Sequence, residues 1–289
     1  MQSNNTIRGI SILVFATLFL ATQDAITKHL TQSMSVFQIV CIRFFIFSVF
    51  ALVFAARRGG IIARFRSANP ALQIFRSLLI AAEIAVFATA LRHLGLAEMN
   101  ALVACFPLFI TALSVPMLGE SVGWRRWLAV FVGFIGTLII IRPGSGVFDP
   151  YALIALTAAL MFAIYNILTR KVSRSDSLET SMLYFGIVGF VASLGAMPFV
   201  WKHPTTEESG WLIVISFTAI IGHICLMKAL ELVPATILQP FNYFVLVWAI
   251  LIGYVVYGEV LDPVALSGAA VVVGSGVFIA RREYRLARS

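Results

Sequence analysis

Four ionisable side chains stand inside apolar stretches, where each needs a specific partner or a function: Asp24, Arg43, Glu83 and His223. A charge at the centre of a hydrocarbon layer is unfavourable by about 2.5 to 3.5 kcal/mol on insertion scales. Glu83 lies about eleven residues into its apolar run and His223 about twelve into its own, which at ~1.5 Å per residue places both near the middle of a bilayer. An acid and an imidazole at matching depth can carry a proton or contact substrate. The competing reading is a buried structural pair, with Arg43 as the partner of Glu83. Arg43 itself reads as structural. Arg76, near the end of its run, reads as a side chain that snorkels to the interface and takes no role.

Uncharged polar groups make a second set. Gln239, Asn242 and Tyr243 share one helical face at i, i+3 and i+4, beside Pro240. Three polar groups on one face are unfavourable against lipid, so that face lines a cavity or a helix contact. Asn100 matches Gln239 in an internal repeat and precedes a helix break expected at Pro107. Gln23-Asp24 likewise matches Tyr165-Asn166. Asn100, Tyr165, Asn166, Gln239, Asn242 and Tyr243 are therefore the candidate ligand-contacting residues. Glu83, His223 and Asp24 are the candidates for proton or charge coupling. Hydrogen bonding between neighbouring helices is the competing account for several of them. Phe87, Phe106, Phe241 and Trp248 sit on helices that also carry buried polar groups.

Catalytic chemistry finds no support. The glycines of Arg142-Pro143-Gly144-Ser145-Gly146 lack the strand-to-helix setting and the lysine of a phosphate loop. Cys41, Cys105 and Cys225 lie in apolar runs as small packing residues, with no metal-ligand or disulfide spacing. No enzyme activity, metal or cofactor is expected.

The elements that hold these residues follow from composition. The 289 residues are 60% hydrophobic and 12% charged, with a mean hydropathy of +0.96, which excludes an ordinary soluble domain. Ten apolar runs, near 9–30, 36–56, 72–91, 97–118, 125–141, 150–170, 178–200, 209–231, 234–257 and 263–281, are each about the length that crosses ~30 Å of hydrocarbon. The first follows Arg8 and resembles a signal-peptide core, but its repeat counterpart is internal, so it is expected to be retained. Trp124, Trp127, Trp201 and Trp211 fall at run ends as interfacial anchors. Ala129, Gly133, Gly136, Ala270, Gly274 and Gly276 suit close packing of the fifth and tenth helices.

Two halves are legible. Ala90-Leu91 through Gly119-Glu120 returns as Ala229-Leu230 through Gly258-Glu259, at an offset of 139 residues. Near the start of each half Asp24 and Lys28 fall on Asn166 and Arg170, at an offset of 142. Five crossings per half is odd, so the second half is expected to be inverted relative to the first. Such repeats build alternating-access carriers. With both termini in the cytoplasm, 15 of the 21 Lys and Arg lie on the cytoplasmic side, as the positive-inside rule requires. That bias, with anionic lipid, accounts for the net charge of +8 without nucleic acid.

The run Leu118-Gly119-Glu120-Ser121-Val122-Gly123-Trp124-Arg125-Arg126-Trp127, then Gly133-Phe134-Ile135-Gly136 through Arg142-Pro143-Gly144, resembles the EamA-type branch of the drug/metabolite transporters. Gly258-Glu259 before the last run adds to the likeness, which spans the whole chain. The resemblance implies an all-α membrane fold of ten helices, with repeats at 1–145 and 146–289, a central cavity, and peripheral fifth and tenth helices. It implies a multi-pass protein of the bacterial inner membrane working on a small-molecule substrate, with monomer and homodimer both open. Asp24-Ala25-Ile26-Thr27-Lys28-His29-Leu30 and the Leu91-to-Glu98 turn look most like riboflavin or S-adenosylmethionine carriers, with aromatic amino acid exporters as the alternative. A cavity of aromatics and neutral amides favours riboflavin uptake.

Overall fold

The computed structural model describes residues 2–57, 60–118, 123–141, 149–233, 238, 241–260 and 262–286. The described residues are helical throughout, as backbone surrounded by hydrocarbon must be if every N–H and C=O is to find a partner. In chain order the helices are α1 (Gln2–Leu30), α2 (Val36–Arg57), α3 (Ile61–Arg64), α4 (Pro70–Leu91), α5 (Leu96–Val103), α6 (Phe106–Leu118) and α7 (Trp124–Ile141). The second half holds α8 (Tyr151–Val172), α9 (Leu178–Leu194), α10 (Met197–Val200), α11 (Thr206–Leu232), α12 (Phe244–Tyr257) and α13 (Pro263–Leu286).

Among the described residues, six segments are long and apolar enough to cross a membrane: Thr6–Leu30, Val36–Arg57, Pro70–Leu91, Leu96–Leu113, Tyr151–Val172 and Thr206–Leu232. Phe131–Ile140, Leu178–Leu194, Phe244–Tyr257 and Pro263–Ser275 are apolar but shorter. The chain is a multi-pass membrane protein.

Helix starts are written locally. Asn69 caps α4 by accepting from Leu72 N–H, with Pro70 in the first turn, where its missing N–H is harmless. Ser177 caps α9, and Thr205 with Glu208 forms a reciprocal capping box on α11. The break expected near Pro107 falls between Val103 and Phe106. A proline ring clashes with the carbonyl four residues earlier, here that of Val103, so the helix stops there and restarts as α6.

Helix contacts come in pairs that exchange the two halves. The first helix of one half packs on the third of the other, as α1 on α11 and α8 on α4. It also packs on the fourth, as α1 on α12 and α8 on α5 and α6. The second helices, α2 and α9, meet each other, and so do the fifth, α7 and α13.

At the α7–α13 contact the two backbones approach closely. A Cβ on Gly136 would stand 2.9 Å from the Gly268 carbonyl, and one on Gly268 would stand 2.7 Å from that of Gly136. The sequence reading had the right helices but only part of the residue set. Gly274 has nothing within 4 Å and Ala270 is exposed, whereas Gly268 was overlooked. The side chains of Ala129 and Gly276 lie outside the described residues. Trp124, Trp127, Trp201 and Trp211 are exposed at helix ends, as anchors should be.

Candidate functional site: a buried polar centre

Six side chains from five helices converge in the interior. Gln23 and Asp24 come from α1, Arg43 from α2, Glu83 from α4, Asn100 from α5 and His223 from α11, all buried. Arg43 acts electrostatically on both carboxylates and on His223, and Asp24 and Glu83 act on each other. Asp24 also lies within reach of the amides of Gln23 and Asn100. Asn100 is oriented by donating from Nδ2 to the Leu96 carbonyl, at 3.1 Å.

Several atoms in this centre are not saturated. Gln23 Oε1, Arg43 Nε and both ring nitrogens of His223 are buried and have no hydrogen-bond partner among the described residues. A buried polar group left unpaired is destabilising by about 1 to 3 kcal/mol, so a cluster of them in one place asks for a ligand or water.

A cavity of about 10 Å³ opens beside Arg43, lined by Val40, Phe44, Phe47, Ile84, Phe185 and His223 among others. Its lining includes two repeat-related pairs. Ile84 and His223 match at the 139 offset, and Arg43 and Phe185 match at the 142 offset. The cavity therefore lies where the two halves meet, between their second and third helices.

A chain of ring contacts runs through the core to it. Phe106 meets Phe162 edge-on with centroids 5.0 Å apart, Phe162 stacks on Tyr165 at 6.1 Å, and Tyr165 lies 6.5 Å from Phe185. Phe185 then lies 4.9 Å from His223 and 4.7 Å from Phe47. Phe162, Phe185, Phe44 and Phe47 were missed in the sequence, where one Phe among 24 carries no mark. The 142 offset that aligns Asp24 with Asn166 also aligns Arg43 with Phe185 and was the available signal.

Arg76 corrects the sequence reading. It does not snorkel: it is fully buried, and its guanidinium is satisfied all round. Gln73 Oε1 accepts from Nη2 at 2.8 Å and from Nε at 3.2 Å, the Ser181 carbonyl from Nη2 at 3.0 Å, and Thr169 Oγ1 from Nη1 at 3.2 Å. Tyr165 offers its hydroxyl at 3.5 Å, and its ring faces the guanidinium at 5.5 Å. Asp176, in the α8–α9 turn, accepts from Gln73 and from the Ala68 N–H, each at 2.8 Å, and from the Ser67 hydroxyl. Partial burial pushes the Asp176 carboxyl up, but these hydrogen bonds and Arg76 outweigh it and hold it below the usual carboxylate range. Arg76 is thus a knot joining α4, α8 and α9, and Tyr165 belongs to that knot.

The other expected residues divide. Asn166 is buried and donates to the Phe162 carbonyl at 2.7 Å, leaving its Oδ1 without a partner among the described residues. Tyr243 is buried beside Cys105, its hydroxyl likewise unpartnered. Neither is among the groups that act on Asp24, Arg43 or Glu83. Asn242 is buried, and Gln239 lies outside the described residues.

At one end of the bundle Lys28 forms an ion pair with Glu259. Gly258 ends α12 with a left-handed φ of 64°, a conformation that suits glycine, and this turns Glu259 back over the helix end. The second Glu259 oxygen accepts from Leu96 N–H at 2.7 Å, and Lys28 also donates to the Leu94 carbonyl at 3.2 Å. At the other end Arg170, the repeat equivalent of Lys28, donates to the carbonyls of Leu230 and Glu231 at 2.8 and 3.0 Å.

A multi-pass helical bundle whose interior holds buried acids and arginines on its first half, with a buried histidine facing them from its second, fits the class of membrane carriers. The chain matches the EamA-like transporter family over residues 7–142 and 149–281, and it belongs to that family. Among characterised relatives, the S-adenosylmethionine uptake transporter of Rickettsia bellii is 27% identical over 275 residues, covering 95% of this chain and 94% of its own. The riboflavin transporter of Vibrio cholerae is 32% identical over 191 residues, 65% of this chain and 63% of its own. The pseudopaline exporter of Pseudomonas aeruginosa is 25% identical over 280 residues, 95% of this chain and 96% of its own. One solved crystal structure shares the fold, with a TM-score of 0.70 at 19% identity, over 98% of this chain and 99% of that one.

Proposed function

We propose that this chain takes up a small metabolite carrying both signs of charge and a planar ring, with an S-adenosylmethionine-like compound as the first choice. The observation that carries this reading is a buried Arg43 within electrostatic reach of both Asp24 and Glu83, with Arg43 Nε and both His223 ring nitrogens unpartnered among the described residues. A zwitterion offers a carboxylate to Arg43 and a cationic centre to the two acids, and the Phe185–Tyr165–Phe162 rings suit a base. Fully matched charges are what a low-dielectric site requires of a charged guest. The uptake transporters of Rickettsia, similar over nearly the whole chain, support the same choice.

Riboflavin is the second reading, favoured by the aromatic column and the Vibrio relative. The sequence favours riboflavin through neutral amides and aromatics, whereas Asp24, Arg43 and Glu83 lie buried in the same interior. A neutral ring leaves those charges to pair among themselves.

In this reading ten crossings form two inverted five-helix repeats, 1–145 and 146–289, with both termini in the cytoplasm of a bacterial cell and the protein in its inner membrane. The reciprocal helix pairing supports the repeat, and the Lys and Arg distribution supports the orientation. No catalytic step is involved. The ligand sits against Asn100 and the Asp24–Arg43–Glu83 centre, with Asn166, Gln239, Asn242 and Tyr243 contributing as the halves rock. Glu83 and His223 carry the coupling proton.

The test is uptake of radiolabelled S-adenosylmethionine and, separately, riboflavin by bacteria that lack their own carriers and express this chain. Saturable S-adenosylmethionine uptake that Asp24→Asn abolishes is expected. Uptake of riboflavin alone establishes the second reading. Uptake of neither, with loss of label from preloaded vesicles, makes the protein an exporter, as its Pseudomonas relative is named.

A further inference from the structure

A second cavity, of about 620 Å³, opens at the end of the bundle where α1 and α12 finish. It is large enough for a metabolite. Its walls carry both signs of charge, with Lys28 and Arg92 facing Glu98, Asp149, Glu259 and Asp262. The Lys28–Glu259 pair belongs to this lining, only 14% and 22% exposed. Beyond the pair lies the polar centre. Asp24 is one turn inward of Lys28 on the same face of α1, and Asn100 is one turn inward of Leu96 on α5. We propose that this outer cavity is a first binding station for a zwitterionic ligand, and that the Lys28–Glu259 pair is the gate between it and the polar centre.

The pair ties together three segments that must part if a ligand is to pass. Lys28 holds the end of α1 to Glu259 and to the Leu94 carbonyl, and Glu259 holds the start of α5 through Leu96 N–H. Tyr257 adds a bond from its hydroxyl to the Ala25 carbonyl at 2.5 Å, and its ring faces Lys28 at 5.4 Å. Space for the carboxylate is provided by two glycines: Cβ atoms on Gly95 and Gly253 would lie 3.4 and 3.3 Å from Glu259 Oε2. Each partner of the pair is the sort of group that one end of a zwitterion replaces. The ligand carboxylate takes Lys28 and its cationic group takes Glu259. The charges then remain paired while the segments separate, so opening does not expose a lone half-buried charge. A neutral ligand offers no such exchange.

The ligand class rests on the reading of the polar centre above, whereas the gate does not, and the experiment separates the two. The full chain, with Cys41, Cys105 and Cys225 replaced by alanine and Ala21→Cys as reporter, is reconstituted in lipid nanodiscs. Ala21 is buried two turns inward of Lys28 on the same face of α1, and its labelling by a charged thiol reagent reads access past the pair. Without ligand, Lys28→Gln and Glu259→Gln are expected to speed labelling about tenfold, the effect of removing a charged hydrogen bond that holds the closed arrangement. Lys28→Arg, which keeps the pair, stays slow. Equal rates in all variants that elute as folded protein overturn the gate.

S-adenosylmethionine is expected to speed labelling of the otherwise unaltered reporter, and riboflavin is not. Arg92→Gln, on the cavity wall, raises the concentration of S-adenosylmethionine required without changing the ligand-free rate. Faster labelling in Glu259→Gln together with no response to S-adenosylmethionine keeps the gate and overturns the zwitterion station. Failure of uptake with a full labelling response overturns only the transport reading.

Discussion

Arg43 and Arg76 are both buried among helices of the interior, yet one is saturated and the other is not. Arg76 directs hydrogen bonds to Gln73, Thr169, Tyr165 and Ser181, while Arg43 Nε finds no partner among the described residues. A guanidinium whose donors are all used holds structure, and one with a spare donor is available to a guest. The two arginines therefore separate a saturated knot of the framework from the candidate site.

One substitution at each arginine tests that separation. Arg76→Leu leaves Gln73, Thr169 and the Ser181 carbonyl without their donor and is expected to destabilise the protein by roughly 2 to 4 kcal/mol. Thermal unfolding in detergent measures it. Arg43→Lys keeps the charge and loses the planar fork, so it is expected to lower the unfolding temperature little and to weaken S-adenosylmethionine binding about tenfold or more. Equal unfolding losses in the two variants argue against the division.

Glu83 is expected to set the pH dependence of transport. Glu83→Gln keeps the size and hydrogen-bonding capacity of the side chain but fixes its charge state. Uptake measured in proteoliposomes at two external pH values becomes independent of pH, while equilibrium binding remains measurable. Unchanged pH dependence sinks the assignment and moves the proton to His223 or Asp24.

Asp176 carries a pH-dependent share of stability outside the membrane. Its carboxyl is held below the ordinary carboxylate value of 3.8, so the folded state binds the proton less readily than the unfolded state does. The contribution is fully present above that ordinary value and is lost as pH falls through the lower folded value. Asp176→Asn should therefore unfold at a lower temperature than the parent at neutral pH, with the difference vanishing in acid. A gap that persists in strong acid points to shape rather than charge.

Close packing of α7 and α13 makes a steric prediction with an internal control. A methyl on Gly268 meets the Gly136 carbonyl at 2.7 Å and a side-chain carbon of Ile140 at 2.7 Å. Gly268→Ala is expected to destabilise by about 1 to 3 kcal/mol. Gly274→Ala on the same helix meets nothing within 4 Å and should be neutral or slightly stabilising through helix propensity.

Gly258 and Glu259 show how much of a motif a sequence can explain. As residues they marked a repeat and a family likeness. The left-handed turn at Gly258 that points Glu259 at Lys28 and Leu96 N–H was not legible, because Lys28 lies 231 residues away along the chain. Lys28 and Glu259 were accordingly left out of the candidate site. Asp24, Glu83, His223 and Asn100 stand out in the sequence and are buried in the structure, since a polar atom in an apolar run is visible without any fold. The bond of Tyr165 to Arg76 was not legible, and Arg76 was placed at an interface it does not reach.

Composition and spacing decide what the solvent decides. A chain with 60% hydrophobic residues in runs of helical length must form helices in a bilayer, and a repeat of its pattern must fold as two like units. Which buried charge meets which depends on helix rotation and on small differences in packing depth, set by contacts such as Gly189 under the Phe44 ring and Gly222 against Leu20. Those contacts join residues far apart in sequence, and a rotation of one helix by a single position would aim Arg43 elsewhere. The saturation of Arg76, the unsaturated Nε of buried Arg43 and the Lys28–Glu259 tie are therefore properties of the assembled bundle, because hydrogen bonds and ion pairs require ångström-scale proximity that no spacing within one helix specifies.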